Sequence, residues 1–395
     1  MNKFPVILVH GLFGWGKGEL PFDYWGNAID TETPLRVMEA AVGPVSSFHD
    51  RACELIAQIK GTIVDYGKEH SSKHGHARFG KDYSGIGFHP KWSATNPVHL
   101  VGHSAGGNTM RMAQHLLDTN FHGYGTNGDW VKSISCISAV LNGTALPYLL
   151  GCDDKTGRIK RDSIGEFLFW IVQGLSTLTG DGTLSTYDFD LKQWGLNHDE
   201  KRSIKDTIAT IISGNLLKGM DNLAYDLTMQ GCYELNGIVN SNPNTYYFGY
   251  GTEQTSEGLF SRHHYPNLRM MSGMVLGAIY QGAYDFEKNK PIPANWGKGN
   301  YRNAKWRQND GCVPLISQYY PFTNDNVKHT VSSKKGISNL KNFTPGKWYY
   351  ECTTDSCGIS FDHTDIVCGV TLDLACVRKQ KEFYTKLWER LASLT

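Results

Sequence analysis

The sequence predicts an α/β protein with a mostly parallel central sheet and helices on both faces. Residues 5–10 form a continuous apolar run, which is typical of a strand buried on both faces of a parallel sheet. Residues 98–101 form a second such run, and a helix-compatible segment follows at residues 108–117. Residues 131–140 form a third run. Buried strands that alternate with helical segments indicate βαβ units and therefore this fold class.

The remaining elements follow in chain order. Residues 46–53 open an amphipathic helix that is expected to run to about residue 66. Residues 202–219 are predicted to be helical, and residues 244–253 return as an aromatic strand. Residues 380–394 form a closing amphipathic helix. The chain contains no internal repeat and no low-complexity segment.

The length of 395 residues would suit two or three domains at about 150 residues each. We favour a single domain over residues 1–395, because single α/β domains with large insertions also reach this size. The insertions are expected at about residues 46–90, 151–182 and 200–230.

The composition excludes two kinds of partner. The chain is 40% hydrophobic and 19% charged, and its formal net charge of +1 gives no electrostatic basis for binding nucleic acid. No apolar run approaches the roughly 20 residues that cross a bilayer. The first residues lack a charged region followed by an apolar stretch. We therefore expect either a cytosolic protein or a mature secreted form whose leader was removed.

The nine cysteines do not form a disulfide scaffold in a chain of this length. Two pairs are candidates for bridges in a secreted protein, namely Cys352 with Cys357 and Cys368 with Cys376. The alternative is that these residues are buried free thiols. The odd total leaves at least one thiol unpaired within the chain.

The strongest motif is a Gly-x-Ser-x-Gly pattern at residues 102–106, between a predicted strand and a predicted helix. This context gives the pattern its meaning, since the pattern alone often occurs by chance. The turn forces Ser104 into an uncommon backbone conformation, and Gly102 and Gly106 provide the room that it requires. Ser104 is therefore the candidate nucleophile, at a helix N-terminus that favours a developing oxyanion.

A glycine-rich turn follows the first strand at residues 10–16. Neither a dinucleotide fingerprint nor a Walker pattern is present, so a nucleotide site is not favoured. The turn fits the loop that supplies the second oxyanion N–H group of a serine hydrolase, with Leu12 as the donor. An ordinary strand-end turn is the alternative.

Two polar turns late in the chain carry an acid and a histidine. Residues 309–314 form a turn with Asp310 at its tip, and residues 361–365 form another that contains His363. With Ser104 they give the chain order Ser, Asp, His, which is typical of α/β-hydrolases.

A histidine cluster follows the first predicted helix. His70, His74 and His76 lie within seven residues, and Asp50 precedes them at the helix start. One interpretation is a solvated loop, where clustered histidines usually lie. The other is a metal site, for which zinc would require three or four such ligands and hence a remote carboxylate.

Residues 163–178 form an apolar predicted helix, with Ser163 at the N-cap and Glu166 at the capping-box position. The apolar content is too high for a surface helix with one neighbour. The segment is either a core helix or a lid, within about residues 151–182, that covers the catalytic cleft and opens on a lipid surface.

With these residues in view, the chain resembles the large bacterial lipases of the thermophilic Bacillus (Geobacillus) and staphylococcal type. The resemblance spans nearly the whole chain and rests on long motifs at residues 10–16, 41–47, 50–54, 65–67, 74–80, 187–189, 193–196, 225–227, 243–247 and 309–311. It implies an α/β-hydrolase fold with an inserted lid and a zinc-binding cap segment.

The resemblance also implies the roles of individual residues. Ser104 would be the nucleophile, His363 the general base and acid, and Asp310 the orienting carboxylate. The backbone N–H groups of Leu12 and Ala105 match the oxyanion donors. Family members usually carry Phe at position 12 and Gln or Met at position 105, but the donors are main-chain groups and are retained.

The same resemblance supplies the missing acid of the histidine cluster. The zinc ligands of the family match Asp50, His70, His76 and Asp221, with His74 left out. Two carboxylates and two imidazoles form a closed, structural zinc site. This site would tie the inserted segments near residues 46–90 and 200–230 to the core.

A calcium site is implied less completely. The family ligands match the backbone carbonyl of Arg269 and the acid Asp365, whereas the Asp-Pro pair that follows in the family is replaced here. Asp373 would substitute for it after a shift, since calcium tolerates irregular oxygen ligation.

The sequence therefore predicts a lipase that cleaves acylglycerol esters through an acyl-enzyme and is activated at a lipid–water interface by lid opening. A phospholipase A1 or a broad esterase is the alternative, because the same triad serves any acyl ester. A lipid-binding protein without catalysis is a remote alternative, which the presence of all three triad residues disfavours. We expect a secreted protein that is a monomer or a weak dimer.

Overall fold

The computed structural model describes residues 1–20, 23–26, 31–160, 163, 187–195, 214–292, 296, 302–323, 328–331, 337, 340, 342–367 and 374–395. The predicted lid helix lies outside these residues except for Ser163, and Cys368 and Asp373 also lie outside them. No helix in the described part is long and apolar enough to cross a bilayer.

The central feature is a parallel β-sheet. The strands of the described ranges are β1 (Val6–Val9), β2 (Val37–Ala40), β3 (Ile63–Asp65), β4 (Phe79–Asp82), β5 (Val98–His103), β6 (Val131–Ile137), β7 (Tyr246–Gly251), β8 (Thr255–Glu257), β9 (His264–Pro266), β10 (Lys328–Val331) and β11 (Lys347–Cys352). Seven form one sheet in the order β10-β11-β7-β6-β5-β1-β2, and every neighbouring pair in it is parallel. The pairs β3–β4 and β8–β9 are antiparallel and lie outside it.

Helices connect and cover these strands. Those in the described ranges are α1 (Phe48–Lys60), α2 (Lys68–His74), α3 (Ala105–Asp118), α4 (Leu146–Leu149), α5 (Leu223–Asp226), α6 (Met229–Ile238), α7 (Val275–Ala283), α8 (Phe286–Asn289), α9 (Asn303–Trp306), α10 (Leu315–Tyr319), α11 (Thr353–Cys357) and α12 (Leu374–Ser393). Single 3₁₀ turns lie at Gly128–Trp130, Lys192–Trp194 and Ser272–Met274.

Strand β7 shows that helices cover both faces of the sheet. The Tyr247 hydroxyl donates to Gln114 of α3 over 2.7 Å, whereas Phe383 of α12 packs edge-on against Tyr250 with ring centroids 5.1 Å apart. Odd and even strand residues point to opposite faces, so α3 and α12 lie on opposite sides of the sheet. Every residue of β5 and β7 is buried, as expected for a sheet covered on both faces. The predicted fold class is confirmed.

The helix predicted to run to about residue 66 is shorter. Helix α1 ends at Lys60, because Gly61 adopts a left-handed conformation with φ 80° and its N–H donates to the Ala57 carbonyl. The apolar residues beyond it belong to strand β3, which pairs with β4. The predicted end of the helix, at about residue 66, was therefore wrong. The apolar residues after Gly61 form a strand and do not continue the helix.

The structure adds one strand of the sheet and one contact between the inserted segments. Strand β11 had not been predicted, although its residues are aromatic and pair with β7 along its length. Ser46 and Asn222 form an isolated antiparallel bridge, so the two insertions expected near residues 46–90 and 200–230 touch each other. That residues 1–395 form one domain stays a prediction.

The carboxyl ends of the parallel strands meet at one edge of the sheet. Gly11 follows β1, Ser104 follows β5, Thr252 follows β7 and Thr353 follows β11. In open α/β sheets this edge is where loops converge on a ligand. The candidate site lies here.

Candidate active site

Ser104 lies in the tight turn between β5 and α3, with φ 56° and ψ −124°. A Cβ atom at Gly106 would lie 2.1 Å from the Val9 carbonyl oxygen, and one at Gly102 would lie 2.7 Å from the Gly106 carbonyl carbon. Both distances are too short for any side chain, so glycine is required at both positions. The turn places Ser104 in the wall of a cavity.

His363 links Ser104 to Asp310. The Ser104 hydroxyl donates to His363 Nε2 over 2.9 Å, and His363 Nδ1–H donates to Asp310 Oδ2 over 2.8 Å. All three residues are buried. With its proton on Nδ1, the imidazole offers Nε2 as the acceptor of the hydroxyl proton. The structure thus brings together the three residues from distant turns, in an arrangement that can activate a hydroxyl nucleophile.

Four further donors converge on the Asp310 carboxylate. The backbone N–H groups of Cys312 and Val313 donate to Oδ1 over 3.0 and 2.7 Å. The Thr252 hydroxyl donates to Oδ2 over 2.8 Å, and the Gln318 amide donates to the same oxygen over 3.2 Å. Thr252 and Gln318 were not predicted, because no motif connects them to the acid. The available signal for Thr252 was its position near the end of the strand predicted at residues 244–253.

The two predicted oxyanion donors belong to the loop after β1 and to the turn that contains Ser104. Leu12 lines the cavity, and Ala105 is the first residue of α3. Within the described part of the chain, no protein acceptor is bonded to the N–H group of either residue. Both N–H groups are thus available to a ligand oxygen, and α3 adds its positive N-terminal dipole. Their role as an oxyanion hole stays a prediction.

The loop after β1 is held by a buried histidine. His10 Nδ1–H donates to the Gly11 carbonyl over 2.9 Å, and His10 Nε2 accepts from the Val42 N–H over 3.2 Å. Burial, together with the nearby Arg51 charge, lowers the pKa of His10 to about 3, so the ring is neutral at pH 7. The Arg51 guanidinium also donates to the His10 carbonyl. These bonds leave the loop little freedom to move.

An apolar cavity of about 360 Å³ opens beside Ser104 and His363, within the size range of small-molecule pockets. Its walls are formed mainly by aliphatic side chains and methionine: Val140, Leu146, Leu149, Leu150, Leu227, Met274, Leu276 and Val313. Among the described residues that line it there is no lysine, arginine, aspartate or glutamate. Such walls suit a neutral apolar group.

A second constellation lies where α1, α2 and the chain before α5 meet. Asp50, His70, His76 and Asp221 each offer a ligand atom, and these atoms all lie within 4.8 Å of one another. His70 Nε2 lies 3.2 Å from both Asp50 Oδ1 and Asp221 Oδ2, and His76 Nε2 lies 3.2 Å from Asp221 Oδ2. His74 is not a member of the cluster.

The chemistry of this cluster fits a divalent metal. Asp50 Oδ1 and His76 Nε2 are buried and have no hydrogen-bond partner, as expected of atoms that face a shared ion. Burial opposes a charge on His70, but the adjacent carboxylates of Asp221 and Asp50 outweigh it and raise the pKa of His70 to about 9. The carboxylates thus favour positive charge between them. Gln193 donates to Asp50 Oδ2 over 3.2 Å and orients it from outside.

The residues predicted to bind calcium are described only in part. Asp365 Oδ2 accepts from the Asp362 N–H over 3.2 Å, and the Arg269 guanidinium donates to Cys376 Sγ over 3.0 Å. Asp373 lies outside the described residues. The calcium site therefore stays a prediction.

Of the two candidate disulfides, one is absent. Cys352 and Cys357 are free thiols, and Cys352 is buried. The other pair includes Cys368, which lies outside the described residues. The first pair thus consists of free thiols, of which Cys352 is buried and Cys357 is partly exposed.

Comparisons with known proteins agree with the fold and with the resemblance. A family model described as "Lipase-like, C-terminal domain" matches residues 2–393. Lipase 1 of Staphylococcus aureus is 31% identical over 417 residues, which cover 99% of this chain and 54% of that protein. The chain thus spans about half the length of the curated relatives that it matches.

Two solved structures are similar over most of their length. EstA from Clostridium botulinum has a TM-score of 0.75 and 29% identity, with 98% of this chain and 87% of that chain covered. Lipase 1 from Pelosinus fermentans has a TM-score of 0.73 and 30% identity, with all of both chains covered. The resemblance to staphylococcal lipases is confirmed, and the chain belongs to the lipase-like C-terminal domain family.

Proposed function

We propose that this protein is a lipase that hydrolyses carboxylic esters through an acyl-enzyme. One observation carries the proposal: Ser104, His363 and Asp310 form a continuous hydrogen-bonded chain at the wall of an apolar cavity. Relatives named lipase over nearly the whole chain support it.

In the first half of the reaction, Ser104 Oγ attacks the ester carbonyl carbon while His363 Nε2 takes its proton. The carbonyl oxygen becomes an oxyanion that accepts from the N–H groups of Leu12 and Ala105. His363 then gives the proton to the leaving alcohol, and the acyl group stays on Ser104. Asp310 keeps the imidazole in the required tautomer and stabilises its positive charge.

In the second half, water replaces the alcohol. His363 takes a proton from the water, whose oxygen attacks the acyl carbon. The Ser104–acyl bond breaks, the carboxylic acid leaves, and the proton returns to Ser104 Oγ. The triad has then returned to its starting protonation state.

The cavity favours a neutral acyl ester over a phospholipid. Its described walls are aliphatic and carry no cationic side chain that would pair with a phosphate. A phospholipase A1 would desolvate that phosphate beside the cavity without a partner. The preferred substrate class is therefore acylglycerols, with phospholipids as poorer substrates.

The surface next to the cavity supports action on a lipid surface. Leu276 both lines the cavity and is exposed, and every exposed residue of α7 is apolar, namely Leu276, Ile279 and Ala283. The β8–β9 hairpin packs on this helix, because a Cβ atom at Gly282 would lie 1.9 Å from the His264 carbonyl oxygen. Its tip bears Leu259 and Phe260, which are 93% and 98% exposed. Leu268, two residues after β9, is also fully exposed. We call Leu259, Phe260, Leu268, Leu276 and Ile279 the apolar rim.

Exposure of the apolar rim to water is unfavourable, and contact of the rim with lipid is favourable. Each large apolar side chain contributes about 1.5–3 kcal/mol when it is fully buried. Exposed apolar patches beside a pocket mark contact with another apolar phase. We therefore propose that the apolar rim rests on the substrate surface. The lid expected at residues 151–182 stays a prediction.

The experiment that tests the function compares wild type with Ser104→Ala. Wild type is expected to hydrolyse p-nitrophenyl butyrate and an emulsified triacylglycerol, and a phosphatidylcholine emulsion more slowly. Ser104→Ala is expected to lose at least about 10³-fold in rate, because the nucleophile is absent. Its melting temperature should match that of wild type. Substantial turnover by the variant would point to another nucleophile and overturn the proposal.

We further propose that Asp50, His70, His76 and Asp221 hold a structural zinc ion. When bound, zinc would supply a closed four-ligand link and no open coordination position. The chain's own contribution is to bring α1, α2 and the segment before α5 to one point. Three further expectations stay predictions, namely secretion, a monomeric or weakly dimeric state, and calcium binding. Release of esterase activity into the culture medium would test secretion.

A further inference from the structure

Two buried polar residues lie next to the triad and are not part of it. Tyr24 is 5% exposed and His103 is 2% exposed, and both also reach the cavity wall. His103 is the residue directly before Ser104. Neither has a role in the reaction described above.

These residues form a hydrogen-bonded chain between two loops of the site. The Gly11 N–H donates to the Tyr24 hydroxyl oxygen over 3.0 Å, and the Tyr24 hydroxyl lies 2.5 Å from His103 Nδ1. His103 Nε2 lies 2.8 Å from the backbone carbonyl oxygen of His363. The chain thus begins beside Leu12 and ends on the main chain of the proposed base.

The direction of each bond is determined by its neighbours. A carbonyl oxygen only accepts, so His103 Nε2 must carry a proton and donate to His363. Burial, with the nearby His363 as a smaller cause, lowers the pKa of His103 well below its usual value, so the ring carries one proton. Nδ1 is then an acceptor, and the Tyr24 hydroxyl donates to it. Tyr24 selects the tautomer that reaches His363.

The consequence is that the His363 backbone is held from both sides. Its N–H donates to the Asp310 carbonyl over 2.9 Å, and its carbonyl accepts from His103. Gly11 is equally constrained, since a Cβ atom there would lie 2.6 Å from Ser104 Cβ. The base, the nucleophile and the oxyanion loop are therefore connected through one buried bond chain.

We propose that Tyr24 and His103 are positioning residues that hold His363 and the oxyanion loop in the geometry of the transition state. This inference rests on the proposed ester hydrolysis. Small displacements of a base cost catalysis without weakening substrate binding, because the interactions they break are made in the transition state.

The first test is Tyr24→Phe, which keeps the ring and removes the hydroxyl. The kcat for p-nitrophenyl butyrate is expected to fall about ten-fold, with KM within about two-fold of wild type. His103 loses the donor that selects its tautomer, and Gly11 loses its acceptor.

The matched control is Tyr247→Phe. Tyr247 is 1% exposed, accepts from the Asn242 N–H over 2.7 Å and donates to Gln114 over 2.7 Å. It has the same bonding pattern as Tyr24, but it lies in β7 outside the cavity. We expect a loss of stability like that of Tyr24→Phe and an unchanged kcat.

The second test separates donation from packing at His103. A glutamine amide can donate from the position of Nε2, whereas a leucine cannot. We therefore expect His103→Gln to keep a kcat at least about ten-fold above that of His103→Leu, at similar melting temperatures.

Three results would overturn the inference. One is a wild-type kcat in Tyr24→Phe. The second is a raised KM with unchanged kcat, which would indicate substrate contact alone. The third is equal kcat in the Gln and Leu variants of His103. Failure of the proposed function looks different, since wild type would then be inactive or Ser104→Ala active.

Discussion

Ser104, the proposed nucleophile, has an unfavourable backbone conformation. A φ of 56° is rare for any residue with a side chain, and it persists here because Gly102 and Gly106 let two chain segments touch. The motif could be predicted because the constraint is local. The contact of the Thr252 hydroxyl with Asp310 could not be predicted in this way, since Thr252 lies 58 residues before Asp310 in the chain.

A buried histidine away from the site predicts how stability depends on pH. His99 lies in β5, with Nδ1 2.8 Å from the Ser133 hydroxyl and Nε2 3.1 Å from Asn2 Oδ1. Burial, and to a lesser extent the Lys132 charge, lowers its pKa to about 3. In the unfolded chain the group titrates near pH 6.5. Between these values the unfolded state binds one more proton, so stability is present above pH 6.5 and is lost as the pH falls.

We therefore predict that His99→Gln weakens the pH dependence of folding. Between pH 6 and pH 4, the unfolding free energy of wild type should fall more steeply, by about 1.4 kcal/mol per pH unit. Urea unfolding at pH 6, 5 and 4 measures this. Ser133→Ala is the control, because it removes a hydrogen bond and keeps the titrating group. Equal slopes in wild type and His99→Gln would contradict the prediction.

At the scale of elements, the proposed metal cluster joins three segments that are distant from one another in the sequence. Asp50 lies in the first turn of α1, His70 lies in the short helix α2, and Asp221 precedes α5. A helix of seven residues is marginal by itself, so its position depends on tertiary links. A bound ion would provide such a link.

We predict that zinc removal lowers stability before it lowers activity. A chelator should reduce the melting temperature by several degrees while the initial rate at low temperature stays within about two-fold, because the ion binds the folded state and not the reacting atoms. His70→Asn should reproduce this loss without chelator, and His74→Asn should bind zinc like wild type. Metal content by mass spectrometry and calorimetry measure both. An immediate loss of rate with unchanged melting would refute a structural ion.

The whole molecule places its chemistry at one edge of the sheet. The loops after β1 and β5 and the His363 turn after β11 meet there, and Leu276 of the apolar rim lines the same cavity. Helix α1 follows β2 and returns toward the opposite edge of the sheet. Ile86 lies near the end of α1 and is 69% exposed. The two edges therefore differ in what they can bind.

We predict that the double variant Leu259→Ser with Phe260→Ser loses activity on lipid surfaces only. Its rate on an emulsified triacylglycerol should fall about ten-fold, the effect of losing roughly 1.4 kcal/mol of apolar contact. Its rate on dissolved p-nitrophenyl butyrate should not change. Ile86→Ser is the matched control and should leave both rates unchanged. Equal losses on both substrates would contradict a role of the rim in surface contact.

Features that depend on neighbouring residues along the chain could be predicted from the amino-acid sequence. Buried parallel strands, the glycine-bounded turn at Ser104 and the polar turns at Asp310 and His363 all follow from local backbone and solvation rules. The resemblance added the ligands of the metal cluster. Helix α1 was overextended because apolar residues continue past Gly61, where only pairing with β4 makes them a strand.

Hydrogen bonds between groups that are distant in the sequence became known only from the folded chain. Tyr24 is separated from His103 by 79 residues, and His103 from the His363 carbonyl by 260. Spacing along the chain carries no information about such contacts, because they form when separate loops meet at the sheet edge. The contact between Thr252 and Asp310 belongs to the same class, and the apolar rim also combines residues from separate segments.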